Sequence, residues 1–349
     1  HLQMGPGLGA GGNPTTGREL ALASLNQIKA AFDDGTKMVF ITAGMGGGTG
    51  TGASPVIAHE AREKGILTIG IVTIPFLFER EKQIDKALDG LEALAEEVDA
   101  VLVINNQRLC DIYSDLSITN AFKRADETLS TAVRSITDII SMHGRVNLDF
   151  QDVKTTLTNG GVAVMSTGYA EGENRVARAI NEALNSPLLN NNDIFKATHI
   201  LLAITTSNDE DAMLQTSEMG EVSEFMEKFN SEIETKWGLA FDANLGKKIK
   251  ITIIASGFGL YGAKKQSTST PIVEEEPEVV EEKNEEKFSR RGRFYSISGK
   301  KYRPRPRFYI FSDDDLRNPE VLQRVEDVPT SKRTAEYLKQ IKEVSNTNY

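Results

Sequence analysis

Residues 43–55, AGMGGGTGTGASP, place six glycines and two threonines in thirteen positions. They follow KMVFITAG, apolar on both sides as a strand covered on each face of a parallel sheet must be. They lead into SPVIAHEAREKG, a helical pattern with Pro55 near its first turn and Gly65 at its stop. Strand, glycine turn and helix in that order point to an open α/β sheet, where ligands bind at the carboxyl edge. Glycines there permit positive φ and let backbone N–H groups approach a ligand, while the helix N-terminus adds donors and a positive dipole end. The loop has no lysine, so it is not the phosphate loop that ends in Gly-Lys-Ser/Thr. Amides and the hydroxyls of Thr49 and Thr51 would hold phosphate instead, with magnesium neutralising the remaining charge. A merely flexible turn is the competing reading, disfavoured by the flanking buried elements. GTGTGA at 48–53 also satisfies a dinucleotide pattern, but no ribose-binding acid follows where that pattern needs one.

The same alternation continues along the chain. RELALASLNQIKAAF puts Leu22, Leu25, Ile28 and Phe32 on one side of an expected helix. ILTIGIVTIPF and DAVLVINN read as further buried strands around the helix EKQIDKALDGLEALAEEV. Strand-helix alternation implies right-handed crossovers and a doubly wound parallel sheet. From Thr119 to Met142 one long helix is expected, with Phe122, Ala125, Leu129, Val133, Ile136 and Ile140 on its apolar side. Beyond it, strands and helices alternate less strictly, which suggests an α+β second domain. The expected organisation is 1–144 and 145–262 as two domains, 263–307 as a disordered linker and 308–349 as a partner-binding tail. The linker reading rests on eight Glu in 274–286 followed by eight Arg or Lys in 290–307.

The formal charge of −10 argues against a general affinity for nucleic acid, which needs a cationic surplus. One cysteine, Cys110, excludes an internal disulfide framework and suits a reducing cytoplasm. No apolar run reaches the roughly 20 residues that span a bilayer, so direct membrane insertion is not expected. Position 1 is His and the opening HLQMGPGLGAGGNP is loop-like, from which a missing natural N-terminus is expected.

GGGTGTG at 46–52 resembles the signature loop of the tubulin superfamily, and the order of motifs from Gly7 to about Gly259 resembles its bacterial cell-division branch, the FtsZ family. That resemblance implies GTP/GDP with Mg²⁺ at a site made of Gly11, Ala43, Gly44, Gly46, Gly47, Gly48, Thr49, Gly50 and Thr51. It assigns Glu79 in PFLFE to ribose, Asn106 in INNQRL to guanine, Phe122 to stacking near the base, and Asp126 to guanine's ring N–H and amino group. Structural alternatives stand beside these: Phe122 as core, Glu79 as a solvated acid at a helix start. Where relatives carry Phe-Glu-Gly-x-x-Arg this chain has FEREKQ, so a basic nucleotide contact becomes Gln83, with Arg80 or Lys82 as possible substitutes. The family's first two strand-helix units are absent, about 60 residues at roughly 30 per unit. The strand ending at Thr42 is accordingly expected to be an apolar edge, and the piece alone to bind GTP poorly.

VNLDFQDV resembles the family's catalytic loop through Asn147, Asp149 and Asp152. A helix over 122–142 would span about 30 Å at 1.5 Å per residue, so these acids could act only on a neighbour's nucleotide in a head-to-tail filament. Alone, they could merely cap the following helix. The resemblance implies a filament-forming GTPase of cell division at the division site. A nucleotide-binding division scaffold with little or no turnover is the alternative. EDVPTSKR at 326–333 loosely resembles the family's C-terminal peptide, which docks membrane-tethering adaptors and other division proteins.

Overall fold

The computed structural model describes residues 2–112, 117–186, 194–230, 233–258, 287–295 and 317–328, with positions 189, 337 and 341. Helix α1 (Pro14–Ala23) starts at Asn13, whose side chain accepts from the Thr15 amide, with Pro14 in the first turn. The single helix expected through Phe32 is two helices. Ser24 leaves helical geometry and its amide bonds Ala21 O before α2 (Leu25–Ala31) begins. Serine competes with helical bonding in this way, and Leu22, expected on the apolar side, is exposed.

Strand β1 (Met38–Gly44) feeds the glycine loop, and α3 (Thr49–Glu63) starts inside it. Pro55 is therefore in the helix interior rather than near its first turn. Gly52 explains the early start: a Cβ there would collide with Pro14 O and crowd the Arg18 amide, so only glycine lets α3 lie this close to α1. Strand β2 (Leu67–Ile74), helix α4 (Glu81–Glu97), strand β3 (Ala100–Asn105) and helix α5 (Asn106–Ile112) follow. Every residue of β2 and of β3 is buried, as their unbroken apolar runs require.

The long helix α6 (Ile118–Ser141) is capped by Ser117, whose side chain accepts from the Asn120 amide. Beyond it come β4 (Gly144–Val146), α7 (Phe150–Leu157), β5 (Gly161–Ala170), α8 (Arg175–Leu184), β6 (His199–Thr206), α9 (Met219–Met226), β7 (Glu234–Phe241) and β8 (Ile249–Phe258). The eight strands among the described residues join one sheet in the order β1-β2-β3-β5-β8-β6-β7-β4. β1, β2, β3 and β5 pair in parallel; β8 runs antiparallel to both β5 and β6. The doubly wound half and the mixed half are thus continuous, with β1 at one edge.

Two cores cover the sheet. One joins Ile84, Leu88, Leu91 and Leu94 of α4 to Val176 and Ile180 of α8 and Phe225 of α9. The other joins Ala125, Ala132, Ile136 and Ile139 of α6 to Val153 and Leu157 of α7. The spacing along α4 is that of one helix face, and each such aliphatic side chain contributes about 1.5–3 kcal/mol on full burial.

Within the stretch expected as a linker, residues 287–295 form a helix, α10, whose Phe294 and Tyr295 are buried in the α4 core. The rest of 263–307 lies outside the described residues. His1–Tyr302 is one unit and Arg303–Tyr349 another. In the second, α11 (Pro319–Asp327) is capped by Asn318 and buries Val321, and Tyr337 Oη donates to Arg324 O at 2.8 Å. Most of the expected adaptor peptide, from Pro329 onward, lies outside the described residues.

Candidate functional site

The glycine loop is braced from within. Gly46 has φ 101° and its amide donates to Thr51 Oγ1 at 2.9 Å, a buried bond. Thr51 is therefore occupied inside the loop, whereas Thr49 is exposed and its hydroxyl faces the Ala10 amide at 3.4 Å. Gly48 leaves no room for a side chain, since a Cβ would sit 2.7 Å from Ala10 Cβ and 2.8 Å from the Asn13 amide. Gly50 is similarly packed on Gly44 O and Ala43 Cβ. Gly47, and Gly11 with Gly12 at φ 58° and 74°, instead face open space. Loop 7–13 thus lies against the start of α3, and together they present backbone to solvent.

Gln83 stands where the resemblance expects a basic contact. Its carbonyl and Cγ lie 2.9 and 3.1 Å from the position of a Cβ on Gly46, and Pro75 Cγ is at 3.0 Å. Neither Arg80 nor Lys82 is buried against the loop; both are exposed. A different lysine reaches in. Lys86, one turn along α4 from Gln83, donates to Gly12 O at 2.6 Å. Only the fold joins these two positions, 74 residues apart, so sequence reasoning missed it.

The segment 75–79 and the end of β3 form the next wall. Glu79 Oε1 accepts from the Phe76 amide at 2.9 Å, and Leu77 N donates to Gln107 Oε1 at 3.1 Å, tying this segment to the one holding Asn106. Asn106 is 6% exposed and its Oδ1, though buried, has no hydrogen-bond partner among the described residues. A buried orphan acceptor costs roughly 1–3 kcal/mol, which the N–H of a ligand would relieve. Phe122 is 43% exposed, against the reading of it as core, and meets Phe76 edge-on at 5.0 Å between centroids. Asp126, exposed one turn further along α6, shares that side.

Asn147, Asp149 and Asp152 are at the other end of α6. Asp149 caps α7: its Oδ1 accepts from the Asp152 amide, and Asp152 Oδ2 accepts from the Asp149 amide, both at 3.0 Å. Asn147 Oδ1 accepts from the Gly144 amide at 2.8 Å. Capping is therefore a real structural role of these acids. Asp152 has a further partner that sequence reasoning missed, Lys236 of β7, whose Nζ donates to Oδ1 at 2.9 Å. That hydrogen bond, aided by the Asp149 amide, holds the Asp152 carboxyl below its usual range and raises Lys236 above its own. The 24 residues of α6 separate the acids from Phe122's end by about 30 Å or more at 1.5 Å per residue.

Residues 3–114 match the GTPase domain of the Tubulin/FtsZ family, 161–259 the FtsZ family C-terminal domain, and 303–348 a model described as FtsZ, C-terminal. The chain is 46% identical over 348 residues to the cell division protein FtsZ of Porphyromonas gingivalis, covering 96% of this chain and 75% of that one. It is 45% identical over 264 residues to the namesake from Pseudomonas aeruginosa, covering 74% of this chain and 66% of that one. A solved structure titled as an empty FtsZ dimer from Methanocaldococcus jannaschii superposes with a TM-score of 0.66 at 37% identity, covering 76% of this chain and 79% of that one.

Proposed function

The chain belongs to the Tubulin/FtsZ family, and we propose that its two separated clusters are halves of one GTPase site, completed between head-to-tail subunits of a division filament. The complete protein is a GTPase. In this reading the glycine loop, Gly11 and Gln83 hold the phosphates, Glu79 the ribose, and Asn106, Phe122 and Asp126 the guanine. Magnesium, when bound with the nucleotide, would neutralise phosphate charge. The observation that supports the proposal is the length of α6, which sets Asn147, Asp149 and Asp152 about 30 Å or more from the Phe122 end of that helix.

The Lys236 contact refines the role of Asp152. A carboxylate held below its usual pKa is charged at neutral pH but a weak proton acceptor. It is suited to orienting and polarising the attacking water through its free lone pairs rather than to removing a proton early. The partners are other copies of the chain and, through residues 308–349, membrane-tethering adaptors and other division proteins. The site of action is the cytoplasm at the division site. Among the described residues no helix is long and apolar enough to cross a membrane.

In the complete protein, GTP hydrolysis per molecule is expected to rise steeply with concentration, and Asp152→Ala to abolish it while GTP still binds. Hydrolysis independent of concentration would reject the shared site. The scaffold alternative requires no turnover, so hydrolysis at an ordinary enzymatic rate under single-turnover conditions excludes it.

A further inference from the structure

Helix α10, KFSRRGRFY, comes from a stretch of Glu-rich then basic sequence, yet it is tied to the nucleotide side of the molecule by its own side chains. Arg291 forms a paired contact with Asp85, 2.6 Å to each carboxylate oxygen, and reaches Glu81 at 2.8 Å. Arg290 reaches Asp89 at 2.9 Å and Glu92 at 3.1 Å. These four acids recur every three or four residues along α4, so they form one stripe, and two adjacent arginines read its length. Both arginine side chains are at least 85% buried, with 11% and 15% exposed, where screening by salt is weaker than at an open surface.

The far end of α10 touches the loops. Tyr295 Oη donates to Pro75 O at 2.7 Å, and Asn105 Nδ2 donates to Phe294 O at 2.6 Å, both buried. Asn105 Oδ1 accepts from the Gln107 amide at 2.9 Å, and Gln107 Oε1 in turn accepts from the Leu77 amide at 3.1 Å. The chain of bonds runs from α10 through residues on both sides of Asn106 into the segment that ends in Glu79. Pro75 also packs on Gly46 of the glycine loop.

We infer that α10 is a positioning element for nucleotide binding: the Arg290–Arg291 clasp on α4 docks it, and Tyr295 and the Phe294 carbonyl fix the loops that carry Glu79 and Asn106. This rests on the nucleotide-site reading above. Tyr295, Arg290 and Arg291 act through these loops and do not touch the nucleotide. The tail segment that follows the second half of the sheet thereby controls how well ordered the first half's binding loops are before any nucleotide arrives.

The test uses the complete protein, including the strand-helix units that precede this chain in the family, with Tyr295→Phe, Arg291→Asp, and Arg291→Asp combined with Asp85→Arg. Two quantities are measured: GTP affinity below the concentration for assembly, and hydrogen exchange of the Leu77, Glu79 and Gln107 amides without nucleotide. Tyr295→Phe leaves the Pro75 carbonyl unpaired and is expected to weaken affinity about threefold to tenfold. Arg291→Asp is expected to weaken it at least tenfold and to speed exchange at all three amides, with the double variant restoring both toward wild type. Unchanged exchange in Arg291→Asp overturns the docking; faster exchange with unchanged affinity overturns the positioning role. Complete wild-type protein, with the preceding strand-helix units, that shows no measurable GTP binding would instead sink the nucleotide-site reading, and with it this role of α10, whereas the exchange data would still report whether α10 orders the loops.

Discussion

Arg80 stands between the Phe-Glu pair and α4, at the position where the family resemblance expects glycine, and its backbone gives a physical reason for that expectation. It has φ 79° and ψ 148°, a region that glycine alone enters freely because any Cβ crowds the adjoining peptide. The conformation is imposed from both sides, since Arg80 O accepts the first bonds of α4 from Gln83 N and Ile84 N at 3.1 and 3.2 Å while Glu79 is fixed by the Phe76 amide. Such strain costs about 1–3 kcal/mol. Arg80→Gly removes it and gives back about 0.4–1 kcal/mol through the freer unfolded chain. The side chain is exposed, and no ion pair or side-chain hydrogen bond of it is seen among the described residues, so little else is lost. The net expectation is a gain of about 0.5–2 kcal/mol, a rise of roughly 1–4 °C in Tm. Arg80→Ala is the control, because alanine keeps the Cβ and hence the strain. Denaturant melts of the three proteins, compared at constant m-value, decide the matter. Should Arg80→Gly be no more stable than Arg80→Ala, the strain argument is wrong.

Gly52→Ala should destabilise the protein by about 2 kcal/mol or more, because its Cβ has no space between α3 and Pro14 O; a thermal melt within 1 °C of wild type would contradict the close approach of α1 and α3. His59 Nδ1 lies 2.8 Å from Glu97 Oε2, and this bond raises the His59 pKa. A raised folded-state value stabilises fully below the unfolded value near 6.5 and loses that contribution as pH climbs through the folded pKa. NMR titration should find His59 above its ordinary value in wild type and lower in Glu97→Gln; identical titrations would refute the pairing.

What the sequence made legible was local. Glycines and threonines between an apolar strand and a helix carry their own signal, as do Asn147, Asp149 and Asp152 at the start of α7 and the apolar runs of β2 and β3. The burial expected for the strand before the loop is not met, because β1 is an edge strand in which only Ile41 is buried. The onset of α3 was hidden because a first turn of Gly and Thr has no apolar periodicity. Lys236, Lys86 and α10 were hidden for a different reason. Asp152 and Lys236 are 84 residues apart, and Arg291 is 206 from Asp85. No short window contains both partners of such a pair. In α10 two arginines and two aromatics gain their meaning only from the acidic stripe on α4, so composition alone reads them as solvated chain.

The length of α6 has an arithmetical consequence for the proposed filament. If each complete site needs the glycine loop of one subunit and Asp152 of the next, an open row of n subunits has n − 1 sites, and its two ends each hold an unused half. Activity then belongs to junctions, not to molecules. Short rows are the least active per subunit, and one subunit lacking either half silences a single junction while leaving its other junction intact.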